Sequence, residues 1–227
     1  SRRCALSLRC ACAPQPWARR RGAGGHATPA RCFQGISSTG NGFLRGISKA
    51  FPQDEKIWRQ VDSFRERKKT FAKLERINPL IAHITDAFHQ ENVLGAVRSI
   101  TNLDGLEPDP ELYAGGISMM GHGDFLNPHI DNSHDADRGR YRRLNLLYYI
   151  APNWLLDNGG NFELWDSKVI HPTTIVSRFN RLVVMETNRT SWHSVTKVTA
   201  NAARSCISNY YFSYYCPQWW FLRKRYS

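Results

Sequence analysis

The sequence predicts a mainly β fold: a double-stranded β-helix, or jelly roll, with N-terminal helices packed on one of its sheets. Apolar residues recur at mostly helical spacing between Pro52 and Val97. From residue 111 onward, short segments rich in Tyr, Ile, Val and Trp alternate with clusters of Gly, Asn, Asp and Pro, which is typical of successive strands. A helical start followed by about eight short strands favours a jelly roll that carries helices on one face.

Residues 1–46 are left out of the predicted fold, because they contain no Asp or Glu and show neither helical nor strand periodicity. Three interpretations stay open for them: an organelle transit peptide, a disordered basic arm, or upstream sequence that is not native protein. The predicted domain spans residues 47–216. Residues 217–227 form an aromatic and basic tail to which we assign no role.

Two amphipathic helices are predicted within residues 52–100. The apolar positions of the first are Ile57, Trp58, Val61, Phe64, Phe71 and Leu74. The second begins at Asn78, a good N-cap residue, has Pro79 at its first helical position, and runs towards Val97. The jelly-roll core is predicted at residues 111–216, with strands near 112–120, 126–131, 142–150, 161–165, 168–171, 181–186, 192–198 and 203–215.

The formal charge of +12 lies outside the predicted core. Residues 1–50 carry nine basic and no acidic side chains, and three more basic residues lie in the tail, so residues 51–222 hold 19 of each sign. We therefore predict no nucleic-acid partner. No segment reaches the roughly 18 apolar residues of a membrane span. The protein is expected to be soluble and cytoplasmic, or organellar if residues 1–46 are a transit peptide.

Two His-x-Asp triplets occur, at residues 122–124 and 129–131. On a strand, alternate side chains share one face, so the imidazole and the carboxylate of such a triplet point the same way. The second triplet is favoured, because His122 stands between glycines whereas His129 and Asp131 follow residues that can enter a strand. A further histidine would complete a facial site of two imidazoles and one carboxylate, which leaves three positions open on iron(II).

Five segments follow one another in the second half of the chain: GDFLNPHIDN, LNLLYYIAPNW, NGGNFELWD, FNRLVVMETNRTSWHSV and ARSCISNYYFS. In this order, the run from Gly115 to Phe212 resembles the catalytic domain of prolyl-hydroxylase-like Fe(II)/2-oxoglutarate-dependent dioxygenases. Five segments in sequence are far more specific than any one motif.

The residues that the resemblance implies as Fe(II) ligands are His129, Asp131 and His193. No catalytic residue beyond these ligands is predicted. Arg204 is implied as the partner of the far carboxylate of 2-oxoglutarate, a role that suits a guanidinium because it can donate two hydrogen bonds to one carboxylate. Tyr149 matches the pocket tyrosine of the family, and period two places Asn145 on the same face of its strand. Relatives often carry a second pocket tyrosine where this chain has Met119.

The resemblance implies an oxidoreductase that consumes O₂ and 2-oxoglutarate, hydroxylates an unactivated C–H bond, and releases succinate and CO₂. Ascorbate is implied as the agent that keeps the iron ferrous. A prolyl residue in a protein, a free amino acid and another small molecule all remain open as substrate. Asp131 favours hydroxylation, because halogenating members of the superfamily have a small residue at that position.

Two other functions stay open. One is a cupin-like metalloenzyme whose metal acts as a Lewis acid without O₂. The other is a non-catalytic sensing or interaction module on an oxygenase fold. The complete ligand set argues against the module, and Arg204 argues against the Lewis-acid enzyme.

Overall fold

The computed structural model describes residues 8–10, 32–37, 41–52, 54–74, 78–113 and 115–215. The three helices are α1 (Asn41–Ala50), α2 (Pro79–His89) and α3 (Glu91–Thr101). The strands before the predicted core are β1 (Leu8–Cys10), β2 (Cys32–Ser37), β3 (Arg59–Asp62), β4 (Glu66–Phe71) and β5 (Glu107–Pro108). The remaining strands are β6 (Gly116–Met120), β7 (Phe125–His129), β8 (Tyr141–Tyr149), β9 (Phe162–Trp165), β10 (Pro172–Ile175), β11 (Arg181–Glu186), β12 (His193–Val195) and β13 (Arg204–Ser213).

All these strands belong to one antiparallel sheet that curls into a jelly roll. Its order is β1-β2-β11-β8-β13-β6-β4-β7-β12-β9-β10, with β3 added to β4 and β5 added to β13. One wall of the roll is β11-β8-β13-β6, and the facing wall is β7-β12-β9-β10. Strand β4 joins the two walls, because it pairs with both β6 and β7. The predicted fold class, mainly β with helices on one sheet, is confirmed.

The helices pack on the outer face of the first wall. Strand β8 is buried on both faces, so its side chains alternate between two cores. Leu144, Leu146 and Tyr148 face the helices, where they meet Ile81 and Phe88 of α2. The residues of β8 that face the interior of the roll instead are Asn145, Leu147 and Tyr149.

The start of α2 agrees with the prediction. The side chain of Asn78 accepts a hydrogen bond from the backbone N–H of Leu80, and Pro79 is the first helical residue. The predicted second helix is two helices, however, because Gln90 has an extended backbone that ends α2 and begins α3. No helix in the described part of the chain is long and apolar enough to cross a membrane.

The first predicted helix is wrong: residues 59–71 form the β3–β4 hairpin. Ser63 closes its turn by accepting hydrogen bonds from the backbone N–H groups of Arg65 and Glu66. The apolar residues of this segment are few and widely spaced. They fit the two-residue period of a strand almost as well as the 3.6-residue period of a helix. Pairing of β4 with strands that are distant in the sequence therefore decides the structure. Phe64, counted as part of an apolar helical face, is 92% exposed at the hairpin tip.

Part of the segment left out of the predicted fold does take part in it. Strand β2 pairs with β11, and α1 spans the predicted boundary at residue 46 and buries Ile47 completely. Strand pairing uses backbone hydrogen bonds and requires no periodic pattern of hydrophobic residues, so the sequence does not predict β2. The rest of residues 1–40 and the tail 217–227 lie outside the described residues.

The strand predicted at 168–171 is also wrong, since β10 begins at Pro172. Asp166 forms a turn here: its side chain accepts a hydrogen bond from the backbone N–H of Ile170, and Val169 has a φ of 58°. The apolar residues in the turn imitate a strand pattern.

Phe88 gives a direct test of the packing between the helices and the sheet. It is 0% exposed, packs edge-on against Tyr148, and its carbonyl accepts a hydrogen bond from the hydroxyl of Tyr211. Phe88→Ala should lower the free energy of unfolding by about 3–5 kcal/mol, because it leaves a cavity between the layers. Urea denaturation measures the loss. The control Phe64→Ala should change stability by no more than about 0.5 kcal/mol, and equal losses in the two variants would contradict the assigned packing.

Candidate active site and metal centre

The two candidate histidine ligands are cross-strand partners. His129 is the last residue of β7 and pairs with His193, the first residue of β12, so the centroids of their rings lie 4.1 Å apart. Asp131 lies two residues after His129, and its carboxylate faces both imidazole rings. The structure therefore brings His193 to His129 and Asp131, which precede it by 64 and 62 positions in the sequence.

The ligand atoms of the three residues converge on one point. Oδ1 of Asp131 lies 3.6 Å from Nε2 of His129 and 3.7 Å from Nε2 of His193. All three ligand atoms lie within 4.8 Å of one another, and among the described residues no other group of His, Cys, Asp and Glu meets this condition. The side chains are largely buried, with 10%, 13% and 4% of those of His129, Asp131 and His193 exposed.

Backbone carbonyls set the tautomer of both imidazoles. Nδ1 of His129 lies 2.9 Å from the carbonyl oxygen of Asn127, and Nδ1 of His193 lies 2.9 Å from that of Ser191. A carbonyl oxygen can only accept, so each Nδ1 carries the proton and each Nε2 presents a lone pair to the point of convergence. This is the arrangement that orients histidine ligands in metal sites.

The protonation states also suit a metal. Burial lowers the pKa of His193 to about 4, which leaves its imidazole neutral near pH 7. Burial works to raise the pKa of Asp131, but the contacts with the two imidazoles and the charge of Arg142 outweigh it, so this pKa lies well below its usual range. A carboxylate and neutral imidazoles are the forms that bind metal ions.

The second oxygen of Asp131 is held by two side chains. Nδ2 of Asn145 donates to Oδ2 at 3.3 Å, and Nη1 of Arg142 lies 3.6 Å from the same atom. Arg142 is nearly fully buried, and its guanidinium lies 4.0 Å from the centroid of the Tyr210 ring. Asn145 therefore orients the carboxylate, while its own Oδ1 is buried without a hydrogen-bond partner among the described residues.

Arg204 lies at the closed end of the same cavity. It is the first residue of β13, is 3% exposed, and donates from Nε to Oγ of Ser177 at 3.1 Å and from Nη1 to Sδ of Met120 at 3.5 Å. Among the described residues no carboxylate forms an ion pair with it. A buried charge without a counter-charge costs several kcal/mol, so the site has the electrostatics of a receptor for an anion.

Tyr149 lies beneath this guanidinium. The centroid of its ring is 4.8 Å from Cζ of Arg204, and the side chain is completely buried. Its hydroxyl has no hydrogen-bond partner among the described residues, and burial raises the pKa of Tyr149. A neutral hydroxyl beside an unpaired guanidinium can donate to the oxygen of a bound carboxylate. The guanidinium, without a carboxylate partner among the described residues, and the unpaired hydroxyl suit the binding of a carboxylate, although Tyr149 itself is not among the residues that line this cavity.

One cavity of about 770 Å³ joins the two ends of the site. Its lining includes the three candidate metal ligands, Asn145 and Arg204. Met119 does not line it, because this side chain points to the opposite face of β6 and packs against the helical core. Met120 lines the cavity instead and contacts Arg204. The departure from the family pattern at Met119 therefore lies outside the pocket.

The competing His-x-Asp triplet has a structural role. His122 is exposed, and its Nδ1 bonds the carbonyl oxygen of Thr199 at 3.0 Å. Asp124 accepts a hydrogen bond from the backbone N–H of Gly121 at 2.8 Å and thereby closes a turn.

Sequence reasoning missed the residues that support Arg204 and Asp131. Gly160 belongs to the glycine pair seen in the sequence, but its role emerges only in three dimensions: its φ is +60°, and a Cβ there would lie 3.0 Å from Cδ of Arg204. Ser177 and Arg142 have no local signature, because a single serine or arginine in a strand-rich sequence is usually exposed.

Comparison with known proteins finds a family model that matches the part of the chain holding this site. The family model described as the 2OG-Fe(II) oxygenase superfamily matches residues 115–212. The matched segment contains the three candidate metal ligands and Arg204, and its similarity to this superfamily supports an oxidoreductase of the 2-oxoglutarate-dependent dioxygenase class. No curated protein matches the chain.

Solved structures of similar fold include prolyl hydroxylases. A Pseudomonas putida prolyl-4-hydroxylase has a TM-score of 0.60 and 14% identity over 80% of this chain and 92% of its own. A prolyl hydroxylase from Trichoplax adhaerens, in complex with a hypoxia inducible factor peptide fragment, has a TM-score of 0.50 and 20% identity over 76% of each chain. HygX from Streptomyces hygroscopicus, with nickel, 2-oxoglutarate and hygromycin B bound, has a TM-score of 0.55 and 14% identity over 80% and 82%.

Gly160→Ala tests whether this glycine makes room for Arg204. The added Cβ should displace the guanidinium and strain the backbone, which lowers stability by about 1–3 kcal/mol and weakens binding of 2-oxoglutarate to the Mn(II)-loaded protein. Thermal unfolding and calorimetric titration measure the two effects. Gly139→Ala is the control, because open space surrounds that glycine and it has no positive φ. Unchanged 2-oxoglutarate affinity in Gly160→Ala would refute this role.

Proposed function

We propose that this chain is an Fe(II)- and 2-oxoglutarate-dependent hydroxylase that acts on an unactivated C–H bond of a prolyl or other amino-acid substrate, with succinate and CO₂ as co-products. The single observation that supports it best is the shared cavity, which has three convergent ligand groups at one point and a buried, unpaired guanidinium at its closed end. A metal site alone would not require the guanidinium.

Each residue of the site has a defined task in this proposal. His129, Asp131 and His193 hold Fe(II) through Nε2, a carboxylate oxygen and Nε2, and the ion keeps positions open for other ligands. Arg204 and Tyr149 bind the far carboxylate of 2-oxoglutarate. Asn145 orients the Asp131 carboxylate through its hydrogen bond to Oδ2. The protein side chains thus bind and orient, and they perform no proton transfer of their own.

Fe(II) with 2-oxoglutarate supplies the chemistry, in which O₂ is activated at the expense of oxidative decarboxylation to succinate. The buried site restricts the access of water, which protects the reaction from side reactions. Ascorbate is proposed as the reductant that returns the iron to the ferrous state. The neighbours include enzymes named for prolyl substrates and one crystallised with hygromycin B, which supports amino-acid substrates without excluding other small molecules.

One feature of the site argues against each of the two alternative functions, the Lewis-acid metalloenzyme and the non-catalytic module. A Lewis-acid metalloenzyme would leave the buried charge of Arg204 without a counter-charge. A non-catalytic module would have no use for two imidazoles whose tautomers are both set for metal binding.

Anaerobic reconstitution tests the proposal. Fe(II) together with 2-oxoglutarate should produce a weak visible charge-transfer band, and admission of O₂ should release succinate. His193→Ala should abolish the band, because it removes a ligand. Arg204→Ala should raise the apparent dissociation constant of 2-oxoglutarate about 10- to 100-fold, because it removes the charge-assisted hydrogen bonds to the far carboxylate.

The matched control is His122→Ala, which removes the exposed histidine of the competing triplet. It should keep both the band and succinate release. Absence of a band in the intact protein, or its loss in His122→Ala rather than in His193→Ala, would overturn the proposal.

A further inference from the structure

The β3–β4 hairpin forms a charged wall of the active-site cavity. Along each strand alternate residues face the cavity, and those that line it are Arg59, Val61, Glu66, Lys68 and Thr70. The residues between them point away: Arg67 pairs with Asp62, and Lys69 pairs with Glu55. The hairpin therefore separates its charges into a cavity face and an outer face.

Lys68 and Arg204 occupy corresponding cross-strand positions on the same face of the sheet. Arg204 pairs with Met120 across β13 and β6, and Lys69 pairs with Met119 across β6 and β4. The same register brings Lys68 level with Met120. Side chains opposite one another on neighbouring strands share a face of the sheet, so Lys68 projects into the cavity two strands away from Arg204.

Glu66 holds Lys68 in place. Nζ of Lys68 lies 2.7 Å from Oε2 of Glu66, and only 26% and 19% of the two side chains are exposed. An ammonium group has three N–H donors, so one carboxylate leaves donors for another acceptor. Arg59 lies on the neighbouring strand of the same face and forms no ion pair with any described carboxylate.

The charges of the cavity lining do not balance once the proposed ligands are counted. Fe(II), the 2-oxoglutarate dianion, Asp131 and Arg204 together are formally neutral. The lining then retains three cations, Arg59, Lys68 and Lys73, against one anion, Glu66. All three cations lie between residues 59 and 73; Lys68 is half-buried, whereas Arg59 and Lys73 are exposed. A substrate in the cavity between this segment and the candidate metal ligands would therefore meet Lys68 as its half-buried cation.

We propose that Lys68, supported by Arg59, is a specificity-determining residue that binds a carboxylate of the substrate. This inference rests on the proposed function and narrows it to anionic substrates: a free amino acid that offers its α-carboxylate, or a peptide with Asp or Glu beside the hydroxylated residue. The carboxylate replaces water on the donors of Lys68 and compensates the excess charge of the wall.

Paired probes that differ only in charge test the proposal. L-proline is compared with L-prolinamide, and a proline hexapeptide with flanking glutamates is compared with its glutamine counterpart. Each probe is titrated calorimetrically into the protein loaded with Mn(II) and 2-oxoglutarate, and those that bind are assayed for succinate release and a +16 mass product. At least one carboxylate probe should bind at least about tenfold more tightly than the amide with which it is paired. The pair that shows this difference in affinity identifies whether the carboxylate comes from a free amino acid or from a peptide.

Lys68→Gln should lose this preference, because it removes the charge and keeps most of the side-chain volume. The matched control is Lys69→Gln, on the same strand with its side chain on the outer face, and it should keep the preference. Thermal unfolding checks that both variants fold. Equal affinity for carboxylate and amide probes, no measurable binding of the carboxylate probes, or equal losses in Lys68→Gln and Lys69→Gln would overturn the proposal.

Failure of the proposed function gives a different result. The charge-transfer band and the slow release of succinate without substrate depend on the metal ligands and Arg204, so wild-type protein shows both even if the charge of the substrate is irrelevant. Absence of both in the wild type rejects the hydroxylase itself. Their presence together with equal binding of the paired probes rejects only the role of Lys68.

Discussion

The pairing of β7 with β12 is the constraint on which the site depends. It places His129 opposite His193, and Asp131, two residues further along the chain, directs its carboxylate towards both imidazoles. Because the ligands come from neighbouring strands of a curled sheet rather than from loops, their separation is set by the hydrogen bonds of the sheet. Carbonyl groups near the strand ends fix both tautomers, so the same backbone that positions the ligands also prepares them to bind a metal.

Burial of charge organises the other end of the cavity. Arg204 is surrounded by Ser177, Met120 and Tyr149 rather than by a carboxylate, an arrangement that costs stability unless an anion joins it. Gly160 makes room for the side chain, at the expense of a backbone conformation that other residues rarely adopt. Natural proteins retain such costs mainly at functional sites. The triad and this cation line the same cavity, and the β3–β4 hairpin adds a surface of mixed charge to its lining.

Much of the core of the site could be predicted from the sequence, because its residues stand in strands with a clear period and in segments whose order is specific to a family. His129, Asp131, His193 and Arg204 were all identified in this way, and the structure brings them to one cavity. The failures have a common cause. The sequence favours a helix where the β3–β4 hairpin lies, does not indicate strand β2, and by comparison with the family assigns Met119 to a pocket position, although Met119 packs against the helical core and Met120 lines the cavity. Each depends on non-local pairing, which decides register and face without leaving a local pattern. Arg142 was missed for the same reason, since only the tertiary structure shows that it is buried against Tyr210 and beside Asp131.

X-ray absorption spectroscopy of the anaerobic, Fe(II)-loaded protein can show whether two histidines and one carboxylate bind a single iron. We expect one iron per chain with nitrogen and oxygen neighbours, no sulfur, and the multiple scattering of two imidazole rings. That scattering should fall to the level of one ring in His193→Ala and remain at two in His122→Ala. An iron site without imidazole scattering, or one that is identical in the wild type and in His193→Ala, would contradict the convergence of two histidines and one carboxylate on a single metal ion.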